Sequence, residues 1–316
     1  MSTLIIDNKT LSISQQGECI KIKKDNANPY TIPISHVSRV AILCNIPIET
    51  RLLRTLATKA IDVAFINPRK PEEYGLLQGS GHKDISRKIQ QLTTSQNPQI
   101  CQLVSYHLIH YKIQRQIQNL ISAKPQKQVA RYKIVKALGT LKIIHEKISQ
   151  QKSIPISTLR GFEGSAAAAY FSAYTQLFAQ SFNFTHRNRR PPKDPVNALL
   201  SLSYTLLDSL ASQRIYIQGF DPKIGYYHQT SYGRNSFSSD LIEPARPLID
   251  EWVRDMTAKQ KIRNRDFKQQ GEGVLLKKSA RSNFFKHWET EMKFMAIKEL
   301  DQQLKHIKNM IGISHD

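Results

Sequence analysis

Three side chains that could bind a metal ion lie close together in residues 225–247. His228 stands in a turn-rich loop, and Asp240 and Glu243 follow a run of serines that can cap the start of a helix. Residues three apart on a helix share a face, so we predict that Asp240 and Glu243 point into the space to which the loop delivers His228. An imidazole nitrogen and carboxylate oxygens suit Mg²⁺ or Mn²⁺, whereas structural zinc would need more histidine or cysteine ligands. The alternative is a capped helix with two solvated acids and a hydrogen-bonded loop histidine.

A third carboxylate, Glu163, stands between two glycines at the start of a predicted helix. The small residues over 165–169 would allow another element to approach this helix closely. An acid in a first turn is favoured by the helix dipole, which alone would explain Glu163. The functional alternative is that helix packing brings Glu163 to the same metal ion as His228 and Glu243.

The charge of the chain predicts a polyanionic partner. Lys and Arg number 46 against 25 Asp and Glu, a formal net charge of +21. Nucleic acid fits better than a membrane, because no stretch approaches the roughly 20 apolar residues that a spanning helix needs. The other possibility is a basic surface without a partner. Basic residues around residues 187–193 and within 225–247 are predicted to grip phosphates of a nucleic acid: Arg187, Arg189, Arg190, Lys193 and Arg234. Further bases along 112–142, with Lys112 on a polar helix face, and along 259–268 are predicted to follow the duplex.

The elements that must position these residues indicate an α+β chain of two domains. Residues 1–85 alternate in strand-like fashion around one amphipathic helix near 48–60, which predicts a small β-rich domain suited to self-association. From residue 86 to 316 the hydrophobic period is helical, which predicts a larger all-α domain ending in a long helix over 283–311. Because it contains the candidate metal-binding residues and the basic segments, it would be the catalytic and nucleic-acid-binding domain. The segment GEG at 271–273 is predicted to form a turn.

Other polar residues have weaker claims to a functional role. Asp194 and Pro195 are predicted to begin a nearly apolar central helix, with Asn197 available to a neighbouring loop or to substrate. His107 and His110 could share a helix face, but no carboxylate within a turn completes a metal site. The three cysteines are widely spaced and are predicted to be reduced. The N-terminal segment is not typical of a signal peptide, so a cytoplasmic protein is expected.

Three sequence blocks occur in an order that is specific to one family. They are LRGFEG with Glu163, PPKDPVNALLSLSYTLL, and IGYYH…GR.S…DLIEPARP. Together they resemble the CRISPR adaptation integrases, the metal-dependent subunits that insert foreign DNA fragments into a CRISPR array. The resemblance covers essentially the whole chain. It implies that Glu163, His228 and Glu243 bind Mg²⁺ or Mn²⁺, and that Asp240 is a fourth catalytic position.

The resemblance also implies a reaction and partners. A 3′-hydroxyl of the incoming fragment would attack a phosphodiester at the edge of a repeat, so both substrates are double-stranded DNA. The chain would form a homodimer, two of which flank a dimer of a small ferredoxin-like adaptation protein. Two alternatives stay open: a non-catalytic nucleic-acid-binding scaffold, and a structure-specific DNA repair nuclease that uses water at the same site. Joined strands would favour integration, and shortened strands alone would favour the nuclease.

Overall fold

The N-terminal strands form two sheets. The computed structural model describes residues 2–313 apart from 26, 60, 69–73, 78, 80–83, 124–127, 152, 189 and 190. The larger sheet contains, in spatial order, β1 (Ser2–Ile6), β5 (Val37–Ile42), β6 (Asp62–Ile66) and β7 (Tyr74–Leu77), with only β7 antiparallel. The smaller antiparallel sheet contains β2 (Leu11–Gln16), β3 (Cys19–Lys24) and β4 (Tyr30–Pro33). Helix α1 (Thr50–Thr58) packs against β2 and β6.

The four-stranded sheet is buried on both faces. Successive side chains of a strand point to opposite faces, so each strand can serve two cores. Val40 and Val63 face a core formed with α1 and the smaller sheet. Ala41 and Ala64, their neighbours in sequence, belong to the core of the helical region. The two parts of the chain therefore share this sheet.

The rest of the chain is mostly helical. Its helices are α2 (Ser86–Ser95), α3 (Pro98–Ser122), α4 (Gln128–Ser149), α5 (Ile156–Tyr174), α6 (Pro195–Ile217), α7 (Ser236–Ile242), α8 (Arg246–Ala258), α9 (Lys278–His287) and α10 (Lys293–Met310). A π-helical turn over Trp288–Met292 joins α9 and α10, where the sequence predicted one continuous helix. The prediction of an α+β chain, strand-rich first and helical afterwards, is confirmed. Among the described helices, none combines the length and apolarity that crossing a membrane demands.

The helical region is not all-α. Strands β8 (Phe267–Gln270) and β9 (Gly273–Leu276) form a hairpin, and the predicted GEG turn connects them. Gly271 has a φ of +57° in this turn, a conformation that glycine adopts without strain. Each strand is four residues long, which is too short for alternation of apolar and polar residues to be recognised in the sequence.

Helices α3, α5, α6 and α8 position the candidate site. α6 begins as predicted, because the Asp194 carboxylate accepts a hydrogen bond from the backbone N–H of Asn197 at 2.8 Å and Pro195 occupies the first turn. Helix α3 packs against α5 and α8, and α6 packs against α7 and α8. This packing brings distant segments of the chain together.

Candidate active site

The carboxylates of Glu163 and Glu243 meet at the ammonium group of Lys112. Nζ of Lys112 lies 2.5 Å from Oε1 of Glu163 and 2.6 Å from Oε2 of Glu243. Glu163 comes from α5, Glu243 directly follows α7, and Lys112 comes from α3. The prediction that Lys112 lies on a polar, DNA-facing helix surface is wrong, because its side chain is 8% exposed. The packing of α3 on α5 and α8 turns this lysine inward.

The second oxygen of each carboxylate also accepts a hydrogen bond. The hydroxyl of Tyr227 donates to Oε2 of Glu163 at 2.6 Å, and Nε of Arg246 donates to Oε1 of Glu243 at 3.0 Å. Burial would raise the pKa of Glu243, but Arg246 and Lys112 outweigh it and hold that pKa at about 2. Burial would lower the pKa of Lys112, but the two carboxylates outweigh it and the pKa is raised. Both acids are thus fixed in direction, and Glu243 is ionised at neutral pH.

Asp240 does not share the partners of Glu243 and instead holds the loop that carries His228. Its Oδ1 accepts hydrogen bonds from the backbone N–H of His228 at 2.9 Å and from Nδ1 of the same residue at 2.7 Å. Its Oδ2 accepts from the backbone N–H groups of Tyr226 and Tyr227 at 2.7 and 3.0 Å. Asp240 is fully buried and both of its oxygens are engaged within the protein. Since Nδ1 of His228 faces Asp240, Nε2 is the ring nitrogen that can bind a metal.

Gly225 allows this loop to close on Asp240. A Cβ atom at Gly225 would lie 2.7 Å from the carbonyl oxygen of His228, and 2.9 Å from both Oδ2 of Asp240 and Cβ of Ser236. Contacts this short force the neighbouring atoms to move, and two of these three residues belong to the candidate site. Gly225, in the loop that the sequence predicted to be rich in turns, is therefore required for a close approach.

Asn197 fixes the loop that carries the basic residues. Its Oδ1 accepts from the guanidinium of Arg187 at 2.8 Å and from the backbone of Asn188 at 3.0 Å. Its Nδ2 donates to the carbonyl oxygen of His186 at 2.9 Å. Asn197 is fully buried, so it has the structural role that was one of its two sequence interpretations.

The residues predicted to contact DNA differ in their surroundings. The guanidinium of Arg187 lies 5.6 Å from the ring centroid of Tyr204 in addition to its contact with Asn197, so it faces the protein interior. Lys193 and Arg234 are exposed. Arg189 and Arg190 lie outside the described residues. DNA binding by all five stays a prediction.

A buried acid lies beneath the site. The hydroxyl of Tyr204 donates to Oδ1 of Asp250, and the guanidinium of Arg246 stacks 4.7 Å from the ring centroid of Tyr204. Burial raises the pKa of Asp250 to about 6. Arg246 thus connects the carboxylate of Glu243 to this polar core, which restrains the start of α8.

His107 and His110 do not form a metal pair. Nε2 of His107 lies 2.9 Å from the side-chain oxygen of Gln303, and Nε2 of His110 lies 2.9 Å from Oγ of Ser149. The two imidazoles therefore face different partners, and both are explained by hydrogen bonds between helices.

The metal-binding atoms of Glu163, Glu243 and His228 suit a divalent cation in type and in charge. Two carboxylates and one imidazole nitrogen are a donor set for Mg²⁺ or Mn²⁺, and both carboxylates already converge on one cationic group. Within the described part of the chain, no three His, Cys, Asp or Glu side chains stand close enough to hold a metal ion in their present arrangement. A cation could join Glu163, Glu243 and Nε2 of His228 only after the ammonium group of Lys112 gives way.

The roles of three residues at the site were missed in the sequence. Arg246 follows Glu243 by three residues and Tyr227 precedes His228, so their places in the motifs could have drawn attention to them. Lys112 gives no such signal, because it lies 51 residues from Glu163 and 131 from Glu243.

Sequence comparison assigns the chain to a known family. A profile described as CRISPR associated protein Cas1 matches residues 4–290. The CRISPR-associated endonuclease Cas1 1 of Thermodesulfovibrio yellowstonii is 36% identical over 293 residues, which cover 92% of this chain and 91% of the relative.

Solved structures share the fold. A Cas1 protein from Thermotoga maritima is similar with a TM-score of 0.82 at 22% identity, over 100% of both chains. A casposase bound to integration product gives a TM-score of 0.79 at 16% identity, covering 100% of this chain and 92% of the casposase. A Cas6-RT-Cas1–Cas2 complex gives 0.80 at 22% identity, covering 98% of this chain and 35% of the other chain.

Proposed function

The chain belongs to the CRISPR-associated Cas1 endonuclease family, and we propose that it is a metal-dependent integrase that inserts DNA fragments into a CRISPR array. The observation that carries the proposal is the convergence of Glu163 and Glu243 on one cationic group beside His228. A casposase of the same fold has been seen bound to integration product, which supports strand joining over simple cleavage.

The reaction is the exchange of one phosphodiester for another. The 3′-oxygen of the incoming fragment bonds to phosphorus, and the bond from that phosphorus to the 3′-oxygen of the repeat strand breaks. Glu163, Glu243 and Nε2 of His228 would hold a divalent cation, which supplies Lewis-acid stabilisation of the phosphate and alignment of the strands. Asp240 holds the imidazole in the required orientation. With water in place of the 3′-hydroxyl, the same groups would support hydrolysis.

The residues around the site support this assignment of roles. Tyr227 and Arg246 fix the directions of Glu163 and Glu243, so their carboxylates need no large rearrangement beside the phosphate. Exposed Lys193 and Arg234 lie next to the motifs and could contact phosphates near the reacting bond. The net charge of +21 gives the long-range attraction that DNA binding needs. Phosphate contacts do not select a sequence, so repeat choice depends on geometry and partners.

The assembly is part of the proposal. The chain would form a homodimer through residues 1–85, and two dimers would flank a dimer of the small ferredoxin-like adaptation protein. A matching structure contains Cas1 together with Cas2, which supports a protein partner. The cytoplasm, where a CRISPR array lies, is the compartment that this function requires. Light scattering on the full chain should give twice the 36.2 kDa of one chain, and a monomer at micromolar concentration would contradict the dimer.

The proposed function is tested by strand joining in the presence of Mn²⁺ or Mg²⁺. Glu163→Gln and His228→Ala should each abolish joining of a 3′-hydroxyl fragment to a repeat-containing duplex while leaving DNA binding within about twofold. Glu146→Gln serves as the control, because Glu146 is an exposed acid on α4 whose carboxylate contacts Gln150, four residues along the chain. Full joining by the two site variants would refute the proposal. Shortened strands without joined ones would favour the repair nuclease, and DNA binding without any metal-dependent product would favour the scaffold.

A further inference from the structure

We propose that Lys112 is an internal counter-ion that holds Glu163 and Glu243 together and that a divalent cation displaces on binding. The inference rests on the proposed function, since it concerns the same two acids. It assigns a positioning role to a residue that contributes no metal-binding atom.

The position of Lys112 explains how two acids can face each other inside the protein. The side chains of Glu243 and Lys112 are 7% and 8% exposed, and that of Glu163 is 23% exposed. Two carboxylates in such surroundings repel each other unless a positive charge lies between them. Lys112 supplies that charge from α3, which packs against both α5 and α8. Without this lysine the repulsion between the two acids would destabilise the metal-free protein until a divalent cation supplied the missing positive charge.

The same position makes Lys112 a competitor for a metal ion. Magnesium lies about 2.0–2.1 Å from its oxygen ligands. An ion bound by Oε1 of Glu163 and Oε2 of Glu243 would need the same two oxygens that Nζ of Lys112 now contacts at 2.5 and 2.6 Å. Two positive centres cannot share the space between these oxygens. The acids themselves cannot turn aside at little cost, because Tyr227 and Arg246 hold their other oxygens. The lysine side chain is the flexible partner, so it is the group that withdraws.

Displacement costs free energy and therefore lowers the apparent affinity for the cation. The cation binds only molecules in which Lys112 is withdrawn. Its apparent affinity is therefore its affinity for that arrangement multiplied by the fraction of molecules that adopt it. Removing the ammonium group while keeping the length and apolar stem of the side chain should abolish this cost. Lys112→Met meets that description, and Lys112→Arg keeps a cation at the same place.

The test measures Mn²⁺ binding to the full chain without DNA, by electron paramagnetic resonance of unbound Mn²⁺, together with the unfolding temperature. Lys112→Met should bind Mn²⁺ at least about tenfold more tightly than the wild type and should unfold at a lower temperature when no metal is added. Added Mn²⁺ should raise its unfolding temperature by more than it raises that of the wild type. Lys112→Arg should bind Mn²⁺ no more tightly than the wild type. Lys136→Met, a control on the exposed face of α4, should bind Mn²⁺ as the wild type does.

Mn²⁺ binding by Lys112→Met that is equal to or weaker than that of the wild type would overturn the inference. If Lys112→Met does not fold, Lys112→Gln provides a second neutral variant with the same expected gain in affinity. Glu163→Gln separates this inference from the proposed function. If it leaves Mn²⁺ binding unchanged in the wild-type background, the ion binds elsewhere and the proposed metal site itself is wrong.

Discussion

Replacing Gly225 with alanine should damage both the stability and the chemistry of the site. The added Cβ would lie 2.7 Å from the carbonyl oxygen of His228 and 2.9 Å from Oδ2 of Asp240. That carboxylate oxygen already accepts the backbone hydrogen bonds of Tyr226 and Tyr227, so it cannot move without loosening them. The carbonyl oxygen belongs to the backbone of the residue whose imidazole must be aimed. The strain therefore falls on the loop and on both candidate residues.

The magnitude follows from comparable overpacking of protein interiors. Extra methyl groups in well-packed sites cost about 1–3 kcal/mol, and we expect the upper part of this range because the obstructing atoms are backbone and a buried carboxylate. For a chain of this size, the loss corresponds to a lowering of Tm by about 3–5 °C. Metal-dependent DNA cleavage or joining should fall at least about tenfold, since a displacement of about 1 Å at a reacting group has effects of this order.

The control is the same substitution where space is open. Gly139 lies in α4, and a Cβ added there would meet no atom within 4 Å, so Gly139→Ala removes backbone freedom without a clash. It should stabilise the protein by about 0.5–1 kcal/mol and leave the reaction unchanged. Urea unfolding followed by circular dichroism and a nuclease assay with Mn²⁺ provide the two measurements. If Gly225→Ala were as stable and active as the wild type, the close approach of the loop to Asp240 would be wrong.

Three other outcomes follow from the buried groups and the charge. Between about pH 4 and pH 8 the free energy of unfolding of the wild type should fall by about 3 kcal/mol relative to that of Asp250→Asn. The pKa of Asp250 is raised from 3.8 to about 6, so its ionisation opposes folding as pH rises. Urea unfolding at both pH values measures the difference between the two proteins, and a difference that does not change with pH would contradict this. Tyr227→Phe should lower the free energy of unfolding by about 1–3 kcal/mol in the same assay, because the variant lacks the buried hydroxyl that donates to the carboxylate of Glu163. An unchanged unfolding midpoint would contradict this. DNA affinity should fall with salt with a log–log slope of several units, and Arg234→Ala should reduce that slope by about 1; a flat salt response would argue against the basic surface.

The sequence predicted the elements well where a local rule governs them. The Asp194–Pro195 start of α6 depends on one cap and one proline, and both can be recognised from adjacent residues. The α+β order follows from the change of hydrophobic period after residue 85. The β8–β9 hairpin could not be found in this way, because its strands are too short to show a period.

The candidate site shows where local rules fail. The spacing of Asp240 and Glu243 predicted one shared space, but the loop closed by Gly225 draws Asp240 to the backbone of 226–228 instead. A basic residue on a long helix is usually solvated, so the sequence placed Lys112 on a surface. Its true partners come from two other segments, and only their packing shows that the charge is needed inside.

The sheet that faces two cores sets a limit on how this chain can be redesigned. Four side chains of this sheet lie against helices of the larger part: Ala41 in β5, Leu43 just after it, and Ala64 and Ile66 in β6. A chimera joined near residue 85 would therefore set one parent's strands against another parent's helices, and mismatched volumes would open gaps or clashes there. A graft between relatives should either keep the recipient's own residues at those four positions or transfer the opposing helices together with the strands.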